Sequence, residues 1–327
     1  MAFRVAILGL GMAVTPHAKS LLDLKNRVDV AYAWSPSAAR RAAFATKFPF
    51  PQCDRLETIL DDDTVDAVLV LTPPNTHLEL VERCAAAGKH ILLEKPLEIS
   101  TARAEKLVQS AAKVKLGIVL QHRFRPAAEK LGAILKAGRL GELVSASAMI
   151  PNWRPQSYYD QPGRGTRARD GGGVLVTQGI HTLDLFLSFT GKAAEVKSFT
   201  TTTRVHQMET EDLAAAAVRF ENGALGVIHA TTAAYPGFPE RIELIGTRGT
   251  ALLEGTSLKV NLQDQPAIEF STPSGGGGTG ADPMAFPHDW HRSLIADFLD
   301  AIEQKREPRV SGNEALKVHR FIDALLR

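Results

Sequence analysis

The segment "HILLEKPLEIS", residues 90–100, ends an apolar run (Ile91, Leu92, Leu93) on Glu94, Lys95 and Pro96. Two opposite charges and a proline are an unusual end for a core strand. Proline forbids further sheet pairing and restricts the residue before it to extended backbone, which fixes the direction in which Lys95 leaves the strand. A lysine partly withdrawn from water has its pKa pulled down, toward a range useful for moving protons. The plainer reading is a surface turn with a solvated ion pair. A second set of chemical residues lies on a helix expected over 173–189. Thr177, His181, Asp184 and Ser188 fall on one helical face, among Val174, Leu175, Val176, Ile180, Leu183, Leu185, Phe186 and Leu187. A polar stripe on a buried helix must meet partners or a ligand cavity. A single histidine there would be a satisfied core residue; with Gly171, Gly172 and Gly173 just before it, the helix reads as a wall of a binding site.

These residues need elements to position them. The first 120 residues alternate short apolar strands (4–8, 28–34, 65–71, 90–93, 117–121) with helices (15–24, from Ser37, 75–89, 100–113). Near-continuous apolar strands alternating with helices indicate a parallel sheet covered on both faces, a doubly wound α/β domain. Ligands of such sheets sit at the carboxyl ends of the strands. After residue 122 the rhythm changes. A helix at 124–138 and a strand at 143–150 are followed by extended segments at 194–204, 211–220, 223–232, 239–246, 249–254 and 257–261. Strands in succession mean a large, mostly antiparallel open sheet, so the fold class is α/β with a second, α+β domain. The expected domains are 1–122, for a dinucleotide, and 123–327, for substrate binding and oligomerisation. A glycine-rich loop at 271–283 and helices at 289–305 and 312–326 complete the second.

"GLGMAV" (9–14) sits between the first strand and the first helix. Gly9 permits the tight turn, and Gly11 lets backbone approach a pyrophosphate at the helix N-terminus, with Met12 and Ala13 beside it. Val14 stands where the dinucleotide fingerprint has Gly or Ala. The fingerprint also places an acid at the end of the second strand to hold the ribose 2′-hydroxyl. Here "AWSPSAARR" offers Ser35 and no acid. A 2′-phosphate would not be repelled, and Ser35, Ser37 and Arg40 or Arg41 could bind it, so NADP is favoured over NAD. The arginines are equally readable as solvated helix residues.

The stretch "NWRPQSYYDQPGRGTRARD" (152–170) concentrates Arg154, Arg164, Arg167 and Arg169 with Tyr158 and Tyr159. Guanidinium forks match carboxylate or phosphate oxygens, and tyrosines stack on or hydrogen-bond sugars. An exposed loop whose arginines pair with nearby acids would look the same. The net charge of +2 in 327 residues argues against a nucleic-acid surface. Cys53 and Cys84 lack metal-ligand spacing, so no metal is expected. The start "MAFRVAILGLG" carries no leader pattern, and no apolar run is long enough for a bilayer, which points to the cytoplasm and away from membranes.

The ordered set "GLGMA", "LTPPNTH" (71–77), "AGKHILLEKPL" (87–97), "GGGVLVTQGIHTLDL" (171–185), "IELIGTRGT" (242–250) and "DFLDAIEQKREPRVSG" (297–312) resembles the glucose–fructose oxidoreductase, inositol dehydrogenase and rhizopine-catabolism (Gfo/Idh/MocA) oxidoreductases over nearly the whole chain. That resemblance implies an NAD(P)-dependent dehydrogenase acting on a hydroxyl of a sugar, cyclitol or nucleotide-linked sugar, and the arginines point to an anionic one. It makes Lys95 the group facing the substrate hydroxyl and His181 its acid–base or orienting companion. The residue four before that histidine is commonly Asp in the family; this chain has Thr177, which removes one ionisable group. Thr177, Asp184, Arg154, Tyr158, Arg167 and Arg169 are the expected substrate contacts. Thr72, Pro73, Asn75, His77, Glu94 and Arg123 join the glycines as cofactor contacts. Other readings are a reductase of a dihydrodiol or imine, or a dinucleotide sensor without turnover, which would have no need of Lys95 and His181. The second sheet is apolar on both faces while helices are available for one, so a homodimer or homotetramer through that sheet is expected.

Overall fold

The computed structural model describes residues 2–263, 265–272, 279–282 and 286–327. Its contacts divide the chain into two units, Met1–Leu120 with His288–Leu316, and Gln121–Pro287 with Lys317–Arg327.

The first unit runs β1 (Phe3–Leu8), α1 (Val14–Asp23), β2 (Val28–Trp34), α2 (Ala38–Ala45), β3 (Gln52–Cys53), α3 (Leu56–Leu60), β4 (Ala67–Val70), α4 (His77–Ala86), β5 (His90–Leu93), α5 (Thr101–Ser110) and β6 (Leu116–Ile118). Its six strands are parallel in the order β3-β2-β1-β4-β5-β6. Ile7, Leu8, Val68, Leu69, Ile91 and Leu92 are all buried, because helices cover both faces. Strand order reverses between β1 and β4, and a ligand crevice forms at the carboxyl ends beside such a reversal. Ser37 and Ser100 cap α2 and α5 by accepting from Arg40 and Arg103 backbone N–H groups.

The second unit runs α6 (Pro126–Lys136), β7 (Leu143–Pro151), α7 (Gln156–Tyr159), α8 (Arg167–Asp170), α9 (Val174–Thr177), α10 (Ile180–Thr190), β8 (Ala193–Thr201), β9 (Leu213–Phe220), β10 (Leu225–Thr231), β11 (Arg241–Gly246), β12 (Gly249–Glu254), β13 (Ser257–Leu262) and β14 (Ile268–Ser271). The sheet order is β14-β13-β12-β11-β7-β10-β9-β8, antiparallel except where β7 meets β10. Ala146, Ala148, Ile150, Ile228, Leu244 and Val260 point to the buried face, on which α6, α9 and α10 pack. The other face carries aligned rows, one running Phe199, Ala215, His229 and Met149, the next Ala217, Val227 and Ser147. On it Phe199 is 87% exposed, Val227 54% and Leu225 52%.

Three expectations need correction. The first unit reclaims the segment after residue 288: α11 (Asp289–Glu303) packs on α1 and β5, and Arg27 holds Asp300 at 2.6 Å. Only contacts between segments remote in sequence decide that, so the boundary drawn at 122 is incomplete; α12 (Gly312–Leu325) starts in one unit and ends in the other. The helix expected over 173–189 is two helices, since the Gly179 N–H bonds back to the Val174 carbonyl at 2.7 Å and the turn widens there. The stretch 152–170, readable as an exposed loop, contains the short helices α7 and α8, and the small elements β3, α3 and β14 lacked a readable pattern. Within the expected glycine-rich loop, residues 273–278 and 283 lie outside the described residues.

Candidate active site

In the first unit the site is built at the end of β5. The Glu94 side chain is nearly buried, and the residue is 9% exposed. Its Oε1 lies 2.8 Å from Nε2 of the fully buried His17, and its Oε2 accepts the Lys95 backbone N–H at 3.1 Å. Burial pushes the carboxyl up, but the His17 hydrogen bond and the positive charges of His17 and Lys95 outweigh it, leaving Glu94 below its ordinary value. His291, on α11, meets the His17 ring edge-on with centroids 4.9 Å apart. Burial, then the neighbouring His17, pushes the His291 imidazole down to about 3, so it stays neutral. His17, Glu94 and His291 offer donor atoms within 4.8 Å of one another, a set that would hold a cation only by giving up the His17–Glu94 bond. Lys95 stands half-buried at the exit, where its backbone is fixed by the carboxylate beside it.

The glycine turn fits a dinucleotide. Gly9 has φ +106°, and a Cβ on it would come within 2.8 Å of the Leu71 backbone, so only glycine lets the turn close against the end of β4. A Cβ on Gly11 would meet nothing within 4 Å, leaving room before α1 for a phosphate group. Met12 is exposed and Ala13 forms the helix N-cap. Ser35 is buried and its Oγ accepts from the Ser37 N–H at 3.3 Å. Arg40 is exposed, while Arg41 donates to the Ser35 carbonyl at 2.6 Å. In the loop after β4, Thr72 Oγ1 accepts from Thr76 Oγ1 at 2.8 Å, and Pro73 and Asn75 are not buried. Two expected cofactor contacts are turned inward instead. The Glu94 carboxylate serves His17 and its own chain, and His77 is fully buried with both ring nitrogens against carbonyl oxygens.

In the second unit, Arg123 forms a two-pronged pair with Asp184, Nε to Oδ2 at 2.7 Å and Nη2 to Oδ1 at 2.6 Å. Asp184 is 1% exposed, so the residue expected to bind substrate is held by the arginine expected to bind cofactor. His181 stacks on His122 with centroids 4.9 Å apart and planes at 28°. Nε2 of His122 accepts from Arg125 at 2.6 Å, and the buried Arg125 also pairs with Glu240. Thr177 donates to the Gly173 carbonyl at 2.7 Å. Gly173 is obligatory: a Cβ there would lie 1.8 Å from the Glu211 carbonyl oxygen. Glu211 reaches across to the Gly173 and Leu175 N–H groups, and burial raises its pKa.

The expected arginine cluster is kept only in part: Arg154 and Arg164 both lie over the Tyr158 ring, while Arg167 and Arg169 bond elsewhere. Arg154 is buried and donates to the Trp153 and Gly280 carbonyls, Arg169 donates to the Pro162 carbonyl, and Arg167 is exposed near Glu209. Arg164 lies 4.6 Å from the Tyr158 ring centroid and donates to the Tyr158 hydroxyl at 2.8 Å. Sequence reasoning did not find His17, His291, His122, Arg125 or Glu240. His17 gave one signal, a polar residue among Val14, Ala18 and Leu21 on the inner face of α1.

Residues 3–122 match the oxidoreductase family with an NAD-binding Rossmann fold, and residues 128–252 match the Gfo/Idh/MocA C-terminal domain. The chain belongs to the Gfo/Idh/MocA oxidoreductase family. It is 28% identical to the inositol 2-dehydrogenase of Rhizobium meliloti, over all of this chain (100%) and 97% of that protein. It is also 28% identical to the myo-inositol 2-dehydrogenase of Thermotoga maritima, over 95% and 91%. The WlbA dehydrogenase of Bordetella pertussis, solved with NADH and UDP-GlcNAcA, shares the fold with a TM-score of 0.84 at 24% identity, covering 100% of this chain and 96% of that one. A levoglucosan dehydrogenase solved with NADH and levoglucosan does so with a TM-score of 0.87 at 20% identity, over 100% and 96%.

The Glu94 cluster has a consequence for stability. An unfolded chain protonates His291 as pH falls through 6.5, whereas the folded chain resists until about 3. Stability is therefore full above pH 6.5 and declines as pH falls through that window, with a slope of up to ~1.4 kcal/mol per unit from this group. Thermal unfolding between pH 7.5 and 4.5 should show a shallower acid decline in His291→Phe than in the natural protein. An unchanged slope would assign the decline to another group.

Proposed function

We propose that this family member moves hydride between a nicotinamide dinucleotide and a secondary alcohol of a sugar, cyclitol or nucleotide-linked sugar, with Lys95 taking the hydroxyl proton in oxidation and returning it in reduction. The observation that carries this is the lysine at the carboxyl end of β5, next to β4 in the sheet and half out of water, with its backbone tied to a buried carboxylate. The bound dinucleotide supplies hydride transfer; the chain supplies proton handling and orientation. His181, held by its stacking on His122, is the second proton-handling or orienting group. The substrate class is supported by relatives named for inositol and by structural neighbours solved with a UDP-sugar or an anhydrosugar. Lys95→Met should keep cofactor affinity and lose turnover by at least about a hundredfold, as for lost acid–base catalysis. His181→Ala should also lose turnover while remaining folded. A Lys95→Met variant with near-normal rates, measured by cofactor absorbance with a panel of polyols, would refute the role. Natural protein that binds cofactor without any turnover on the panel would favour the sensor reading.

For the cofactor we favour NADP(H). The end of β2 carries Ser35 and no carboxylate, and Arg40 and Arg41 lie in the first turns of α2. Ser35→Asp should weaken NADPH binding more than NADH binding, because only the former brings a doubly charged phosphate there. Equal weakening would place the ribose elsewhere.

The second unit's open sheet face favours a homodimer, or a tetramer built from it. Phe199, Leu225, Val227 and Ile245 are exposed there among small residues, an apolar surface suited to pack on its two-fold copy. Among the described residues no helix is long and apolar enough to cross a membrane, and the free cysteines Cys53 and Cys84 suit a reducing cytoplasm. Sedimentation at low micromolar concentration should find two or four times the 35.4 kDa chain mass. A clean monomer would overturn the assembly.

A further inference from the structure

We infer that His77 is a positioning residue, a buried ring that ties the loop after β4 to the turn carrying Lys95. The β4–β5 pairing runs as far as the Glu94 N–H on the Val70 carbonyl at 2.8 Å, after which the two chains leave the sheet in different directions. His77 spans the gap. Its Nε2 lies 2.9 Å from the Thr72 carbonyl oxygen, and its Nδ1 lies 3.0 Å from that of Pro96 and 3.2 Å from that of Leu97. All three are carbonyl oxygens, which only accept, so the ring must be the donor on whichever side it bonds. The imidazolium bonds both loops at once; the neutral ring bonds one and packs on the other.

The ring cannot easily leave this place. His77 opens α4, whose Leu78, Leu80, Val81 and Cys84 are buried against the sheet. It is fully enclosed, and burial holds its pKa below the ordinary value against the pull of the three carbonyls and of Glu98. Glu98 is itself occupied, accepting from Arg103 at 2.9 Å and from the Leu78 N–H at 3.3 Å. A buried ring between two loops at adjacent strand ends, bonded to one and packed on the other, has a mechanical role. It fixes Thr72, on the expected cofactor loop, relative to Pro96, next to Lys95. A misplacement of about 1 Å at such a point is enough to cost a large factor in rate.

The inference rests on the proposed role of Lys95, and the experiment separates the two. His77→Phe keeps a ring and removes its one donor; His77→Asn keeps a donor but is too short to bond one loop and pack on the other. In each, kcat should fall about tenfold or more, and NAD(P)H should bind several-fold more weakly. The limb of the pH–rate profile that Lys95→Met abolishes should also shift. A merely structural histidine would lower the melting temperature and leave kcat and the pH profile of the folded enzyme unchanged. That result, in whichever variant folds, overturns the inference. Nitrogen NMR of the natural protein adds a check without a substitution: a rapidly exchanging ring N–H refutes the tie. If Lys95→Met retains its turnover, the catalytic reading fails on its own, and weakened cofactor binding in the His77 variants still tests the tie.

Discussion

A carboxylate taken almost out of water is the constraint around which the first unit is arranged. Glu94 would be costly at the end of β5 without partners, because desolvation of a charge is paid in full unless hydrogen bonds replace the lost water. His17 from α1 supplies one bond and the Lys95 backbone supplies the other. His291 from α11 closes the pocket and stays neutral there. One demand thus explains three features: a histidine on the inner face of α1, a late helix joined to the first unit, and a fixed exit for the lysine. The turn is then held from its far side by the carbonyl contacts of His77.

The second unit meets the same demand several times over. Arg123 answers Asp184, Arg125 answers Glu240 while steadying His122, and His206 answers Asp212 at 2.7 Å. Removing one member of such a pair leaves a buried charge alone, which is far worse than removing both. The first two pairs tie the segment entering the unit, α10 and the edge of β11 into one frame. The stacking of His181 on His122 belongs to that frame, so the orientation of His181 depends on a ring that is itself held by buried partners. Thr177 fits the same picture, since its hydroxyl serves the Gly173 carbonyl at the start of the short helix α9.

The opposite faces of the second sheet differ for a simple reason. Residues alternate sides along each strand, so the helices that bury Ala146, Ile228 and Leu244 leave Ser147, Val227 and Ile245 on the far side. Small residues in the middle of that face make it flat, and the larger apolar ones make it poorly suited to water.

What the sequence determined by itself was local and periodic. Strand–GxG–helix spacing marked the dinucleotide turn, apolar runs separated by helices marked the parallel sheet, and uninterrupted strands marked the antiparallel one. The abrupt Glu-Lys-Pro end of β5 marked Lys95. Each of these signals is written within a few residues, where backbone preference and burial pattern act directly. Tertiary structure alone decided the rest. It gave α11 to the first unit, split one expected helix at Gly179, set Asp184 against Arg123, and divided the arginines of the 152–170 stretch among carbonyls and a tyrosine ring. It also assembled His17, Glu94 and His291, whose positions are separated by 77 and more residues. A charged residue in a sequence shows only that it must find a partner. Which partner it finds is settled by packing between segments remote in the chain, because the cost of an unanswered buried charge is met wherever the fold brings an opposite group within reach.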